Sequence, residues 1–90
     1  MNETMLIERT VDLIQTDVDG ELVALDVNQG NCFGFNATAT RVWQMLGTPQ
    51  SVGAIVDALM AEYSVDRETC EAAVIELVGE FQARGLVRSR

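Results

Sequence analysis

At 90 residues the chain is sized for one domain with one modest core, and 48% of its residues are hydrophobic, spread along almost the whole length. No apolar run approaches the roughly 18 residues of a membrane span, and Glu3, Glu8 and Arg9 around Met5-Leu6-Ile7 do not make a secretion signal, so the expected location is the cytoplasm. A formal net charge of −8, from 14 acidic and 6 basic residues, argues against nucleic acid as a partner and favours a basic peptide segment.

In chain order, Val11-Asp12-Leu13-Ile14-Gln15-Thr16 is rich in strand formers, and Asp17-Val18-Asp19-Gly20 follows with an Asp-Gly turn signal. Glu21-Leu22-Val23-Ala24-Leu25-Asp26-Val27 is a second strand, Asn28-Gln29-Gly30 a second turn, and Asn31-Cys32-Phe33-Gly34-Phe35 a short third strand. These runs predict a meander of two hairpins with the third strand at an edge. The period then changes. Asn36 suits an N-cap for a helix over Ala37 to Leu46, whose Ala39, Val42, Trp43 and Leu46 share one face. Gly47 ends it, and Thr48-Pro49-Gln50 connects to Ser51, which caps a second helix over Val52 to Tyr63. Asp66 caps the longest helix, Arg67 to Arg84, with Gly85 in the place of a helix-ending residue and Leu86-Val87-Arg88 extended beyond it. The predicted fold class is α+β: a winged helix-turn-helix with a three-stranded antiparallel sheet packed on three helices.

The third helix has two readable flanks. On a wheel of about 100° per residue, Cys70, Val74, Leu77 and Phe81 cluster as a core stripe. One side of it reads Glu71, Ile75, Val78, Gly79 and Gln82, partly apolar; the other carries Glu76 and Glu80 and is polar. Ile75 is either an ordinary exposed apolar residue or the border of a groove. In the third strand, Phe33 and Phe35 point to one face and Cys32 and Gly34 to the other. The phenylalanines then pack inward while the edge backbone remains open to another strand, and Gly34 would let a peptide approach closely.

Chemistry is sparse. There is no His and no Lys, which removes the usual nucleophile–base pairs, and no phosphate-binding glycine loop. Cys32 and Cys70 alone make neither a disulfide framework nor a zinc site and read as small, buried or half-buried apolar residues. Asp17, Asp19 and Glu21 lack the remainder of a calcium-loop pattern. Arg84, Arg88 and Arg90 read as a solvated tail. The expectation is no enzyme, no catalytic residue, no metal and no cofactor.

Three segments carry a resemblance. Residues Leu25 to Leu46, through Leu25-Asp26, Gly30, Phe33-Gly34-Phe35-Asn36 and Val42-Trp43, Leu59 to Asp66 with Tyr63-Ser64-Val65-Asp66, and Phe81 to Val87 with Arg84-Gly85-Leu86 are similar to the signature segments of PqqD-like proteins, the precursor-peptide recognition elements of ribosomally made, modified peptides. The resemblance spans residues 8–88 as a single domain. It implies that a leader peptide adds as a strand beside Asn31, Cys32, Phe33, Gly34 and Phe35, in a groove shared with Glu68, Glu71, Ile75 and Val78 of the third helix. The Gly-Asn-Cys-Phe-Gly-Phe-Asn pattern with Trp43 resembles most the stand-alone proteins of lasso-peptide pathways, whose partners would be the precursor peptide, a leader peptidase and a macrocyclase or other maturation enzyme. Cys32 stands where the family often has a larger residue. The alternatives are a PqqD-type chaperone of a cofactor-precursor peptide for a radical enzyme, a winged-helix DNA-binding regulator, for which the second helix supplies no Lys or Arg, and a structural or dimerisation module.

Overall fold

The computed structural model describes residues 5–10, 13–26 and 30–90. The elements run β1 (Leu6–Arg9), β2 (Ile14–Val18), β3 (Glu21–Asp26), β4 (Asn31–Phe35), α1 (Ala37–Met45), β5 (Gln50–Ser51), α2 (Val52–Glu62), α3 (Arg67–Ala83) and β6 (Val87–Ser89). The strands form two antiparallel three-stranded sheets, ordered β2-β3-β4 and β5-β1-β6.

The β2-β3-β4 meander follows from its turn chemistry and its alternation. Val18 pairs with Glu21 around a two-residue loop, Asp19 and Gly20, both at positive φ (55° and 84°). That is the hairpin turn whose twist matches the strands, and the Gly20 N–H donates to Asp17 Oδ1 at 2.8 Å to close it. In β3, Leu22, Ala24 and Asp26 are buried while Glu21, Val23 and Leu25 are exposed. Phe33 and Phe35 continue the buried face into β4, which is the sheet's edge as predicted. The predicted first strand is displaced: Ile14–Val18 is strand, and Val11 and Asp12 lie outside the described residues, as do Val27 and the turn residues Asn28 and Gln29.

All three helices start on the expected caps. Asn36 Oδ1 accepts from Ala39 N–H at 2.8 Å, Ser51 Oγ from Ala54 N–H at 3.1 Å, and Asp66 Oδ1 from Thr69 N–H at 3.0 Å. Helix α3 stops in a Schellman arrangement, with Leu86 N–H on Phe81 O, Gly85 N–H on Gln82 O, and Gly85 at φ 72°.

A second sheet joins the chain's two ends. Met5-Leu6-Ile7 reads in sequence as a short apolar patch, yet Ile7 is fully buried at the centre of β5-β1-β6. Its register, Leu6 with Ser51 and Ile7 with both Gln50 and Ser89, joins the start of the chain to the α1–α2 connector and to the last strand. A four-residue strand has too short a period to be told from a loop in sequence; its partners lie more than forty residues away.

At the heart of the core Phe35, Trp43 and Phe81 meet, with ring centroids 5.3–5.6 Å apart in tilted and edge-on pairs. They tie β4, α1 and α3 together, and Arg9 of β1 covers the Trp43 ring at 4.3 Å while donating to Trp43 O. The architecture is the expected α+β winged helix-turn-helix, with one sheet more than predicted. Among the described residues no helix is long and apolar enough to cross a membrane.

Candidate functional site

The sheet order leaves β4 bonded on one side only, to β3, among the described elements. Its C-terminal half lies near α3. A hollow of about 110 Å³ lies there, lined by Gly34, Phe35 and Asn36 at the strand end, by Ala39 of α1 and by Leu77, Glu80, Phe81 and Arg84 of α3. It adjoins a second hollow between Asn36, Thr38, Ala73, Glu76 and Leu77, and then an apolar pocket of about 210 Å³ floored by Leu59, Cys70 and Val74 with Tyr63 and Leu77 at its wall. Leu77 is common to all three, so they form one groove along a single flank of α3.

The groove is apolar below and charged at its rim. Phe35 and Phe81 are buried beneath it, and burial pushes the Cys70 thiol pKa up, so that the pocket floor presents a neutral thiol. On the rim, Glu76, Glu80 and Arg84 are exposed. Arg84 lies over the Phe33 ring, 5.6 Å from its centroid.

The strand half of the expected site is therefore together: Asn31, Cys32, Phe33, Gly34 and Phe35 are all in β4. Among the described residues the helix half lines no hollow with it. Val78 is fully buried in the core and offers nothing to a groove. Glu68, Glu71 and Ile75 line a separate shallow depression with Arg67 and Ala72, and no β4 residue borders it. Arg67 at that end reaches α2 through Asp57 at 2.7 Å and stands 3.9 Å from Glu71, so this flank turns toward α2. The α3 residues that share a hollow with the end of β4 are Leu77, Glu80, Phe81 and Arg84. The wheel separates the two flanks but is silent on which one the sheet covers, because that depends on how α3 packs and not on its period.

Two smaller expectations change. Cys32 is exposed, not half-buried, because it alternates onto the outer sheet face, which no described element covers. A Cβ at Gly34 would meet nothing within 4 Å, so the protein's own packing does not require glycine there. The arginine tail is also divided: Arg88 and Arg90 pair with Glu8 at 2.8 and 3.7 Å, and Arg84 belongs to the groove. No group of three or more acidic or sulfur ligands that could hold a metal occurs among the described residues.

These features define a class: a small winged-helix domain with an open sheet edge over an apolar-floored groove. The chain belongs to the PqqD family, whose model, described as "Coenzyme PQQ synthesis protein D (PqqD)", matches residues 21–87. Two solved structures share its fold. One, described as "TbiB1 in Complex with the TbiA(beta) Leader Peptide", is 31% identical with a TM-score of 0.78 over 90% of this chain and 94% of that one. The other, "Lasso peptide synthetase B1 complexed with the leader peptide", is 25% identical with a TM-score of 0.75 over 91% and 96%. No curated protein matches the sequence.

Proposed function

We propose that this protein is a non-catalytic adaptor of lasso-peptide biosynthesis that works in the cytoplasm. It binds the leader of a ribosomally made precursor peptide by strand addition and presents it to a leader peptidase and a macrocyclase. The observation that carries this reading is the open β4 edge beside the α3 groove, in a chain similar to two solved structures that are both described with a leader peptide. Backbone groups on the outer edge of β4, from Cys32 to Phe35, supply the peptide's hydrogen bonds, and Leu77, Phe81 and the pocket beyond supply apolar contact. The identity of the relatives favours a lasso precursor over a cofactor precursor as client. A DNA-binding role has against it the net charge of −8 and an α2 without Lys or Arg.

Matched substitutions on the two flanks of α3 test the site. Leu77 and Ile75 are both half-buried and both packed against the core, so Leu77→Ser and Ile75→Ser carry similar folding costs. With the leader named in the 31%-identical structure as probe, Leu77→Ser is expected to weaken binding about tenfold or more and Ile75→Ser less than threefold, by calorimetric titration. N-methylation of the peptide should abolish binding at alternate residues only, as a single added strand requires. The opposite order of the two variants, or indifference to N-methylation, would remove the groove or the strand.

A further inference from the structure

We infer that the groove reads charge order in its peptide: it selects an acidic and a basic side chain two or four residues apart, the acidic one beside Arg84 and the basic one beside Glu80 or Glu76. This rests on the peptide-groove reading above and adds a recognition rule to it.

The rim charges are arranged in sequence along the groove. Arg84 stands over Phe33, Glu80 borders the hollow by Gly34 to Asn36, and Glu76 borders the next hollow beside Asn36 and Thr38. Strand β4 and helix α3 thus run past each other in opposite senses, with the cation at one end and both anions toward the other. Glu80 and Arg84 are four residues apart, a spacing that ordinarily pairs on a helix. Among the described residues they make no ion pair, and Arg84 is drawn onto the Phe33 ring instead. Both charges are exposed, facing the space that an added strand would fill.

The spacing follows from two rises. Four helical residues advance about 6 Å and eight about 12 Å. Two strand residues advance about 6.6 Å and four about 13 Å, and residues an even number apart share one face. Arg84 to Glu80 therefore matches positions i and i+2 of the peptide, and Arg84 to Glu76 matches i and i+4. An odd spacing turns one of the two charges away from the helix. The rule holds for either direction of the added strand.

The test is selection from a library of random peptides of about twelve residues against the intact protein at low salt, with groove binding mapped by amide shifts. The expected result is enrichment of opposite charges at spacings of two and four, and not of three. In Arg84→Glu combined with Glu76→Arg and Glu80→Arg, the enriched charges should exchange places, and a wild-type-selected peptide should lose about tenfold in affinity. Arg84→Gln avoids an anion at the helix C-terminus; it should remove the acidic preference alone if the triple variant folds poorly. Peptides that map to the β4–α3 groove with no charge spacing, or with one unchanged in these variants, overturn the inference and leave the groove standing. Failure to select any groove binder overturns both.

Discussion

Thr40 shows how much one hydroxyl carries. It is buried at the start of α1, accepts from Leu22 N–H at 2.9 Å and donates to Phe35 O at 3.3 Å, so it joins the helix to β3 and to the site strand β4. Thr40→Val keeps the shape but removes the acceptor from Leu22 N–H and the donor to Phe35 O. The expected cost is about 1–3 kcal/mol, seen as a fall in thermal midpoint of about 4–8 °C per kcal/mol. Asp66 offers a pH test. Hydrogen bonds from the Thr69 side chain and backbone hold its carboxyl below the ordinary value of 3.8. A depressed folded-state pKa means the contribution is complete above the unfolded value and is lost as pH falls through the folded one. Asp66→Asn should therefore lower the thermal midpoint at neutral pH and narrow its gap to the parent as pH drops below about 3.8.

At the scale of elements, the informative piece is β1. It is the central strand of the second sheet, bonded to β5 and β6, and its Arg9 covers the core tryptophan. Ile7→Ala should cost about 2–5 kcal/mol in urea unfolding, a large share of the roughly 5–15 kcal/mol a small domain has. Loss below about 1 kcal/mol would mean that β1 is peripheral to folding. By contrast β2 is exposed along its whole length, and its outer residues Ile14 and Val18 remain open beside Val23 and Leu25 of β3. The contrast explains why the hairpin was readable and β1 was not: a hairpin is specified by its own turn, whereas β1 is specified by strands at the other end of the chain.

For the molecule as a whole, charge sets how a peptide arrives. A net charge of −8 on a domain this small attracts a basic peptide from a distance, and that attraction is screened beyond about 8 Å at physiological salt. For a peptide of positive net charge that lacks the opposite-charge pair, raising salt from about 0.05 to 0.5 M should slow association several-fold while dissociation changes little, since the strand bonds and apolar contacts are short-range. Stopped-flow traces in which dissociation alone responds would place the main charge contacts inside the groove.

The amino-acid order by itself determined the helix caps at Asn36, Ser51 and Asp66, the turn at Asp19-Gly20 and the stop at Gly85. Each of these depends on residues within about five positions of one another. It also carried the family signature, because that signature is a pattern of such local pieces. Only the tertiary structure decided that Ile7 is core, that a second sheet joins residues 6 to 89, that Leu77, Glu80 and Arg84 line the hollow at the end of β4, and that Glu71 and Ile75 line another while Val78 is buried. A wheel shows that α3 has two flanks; the packing of Phe35, Trp43 and Phe81 turns one of them toward β4, and those contacts connect residues far apart in the chain.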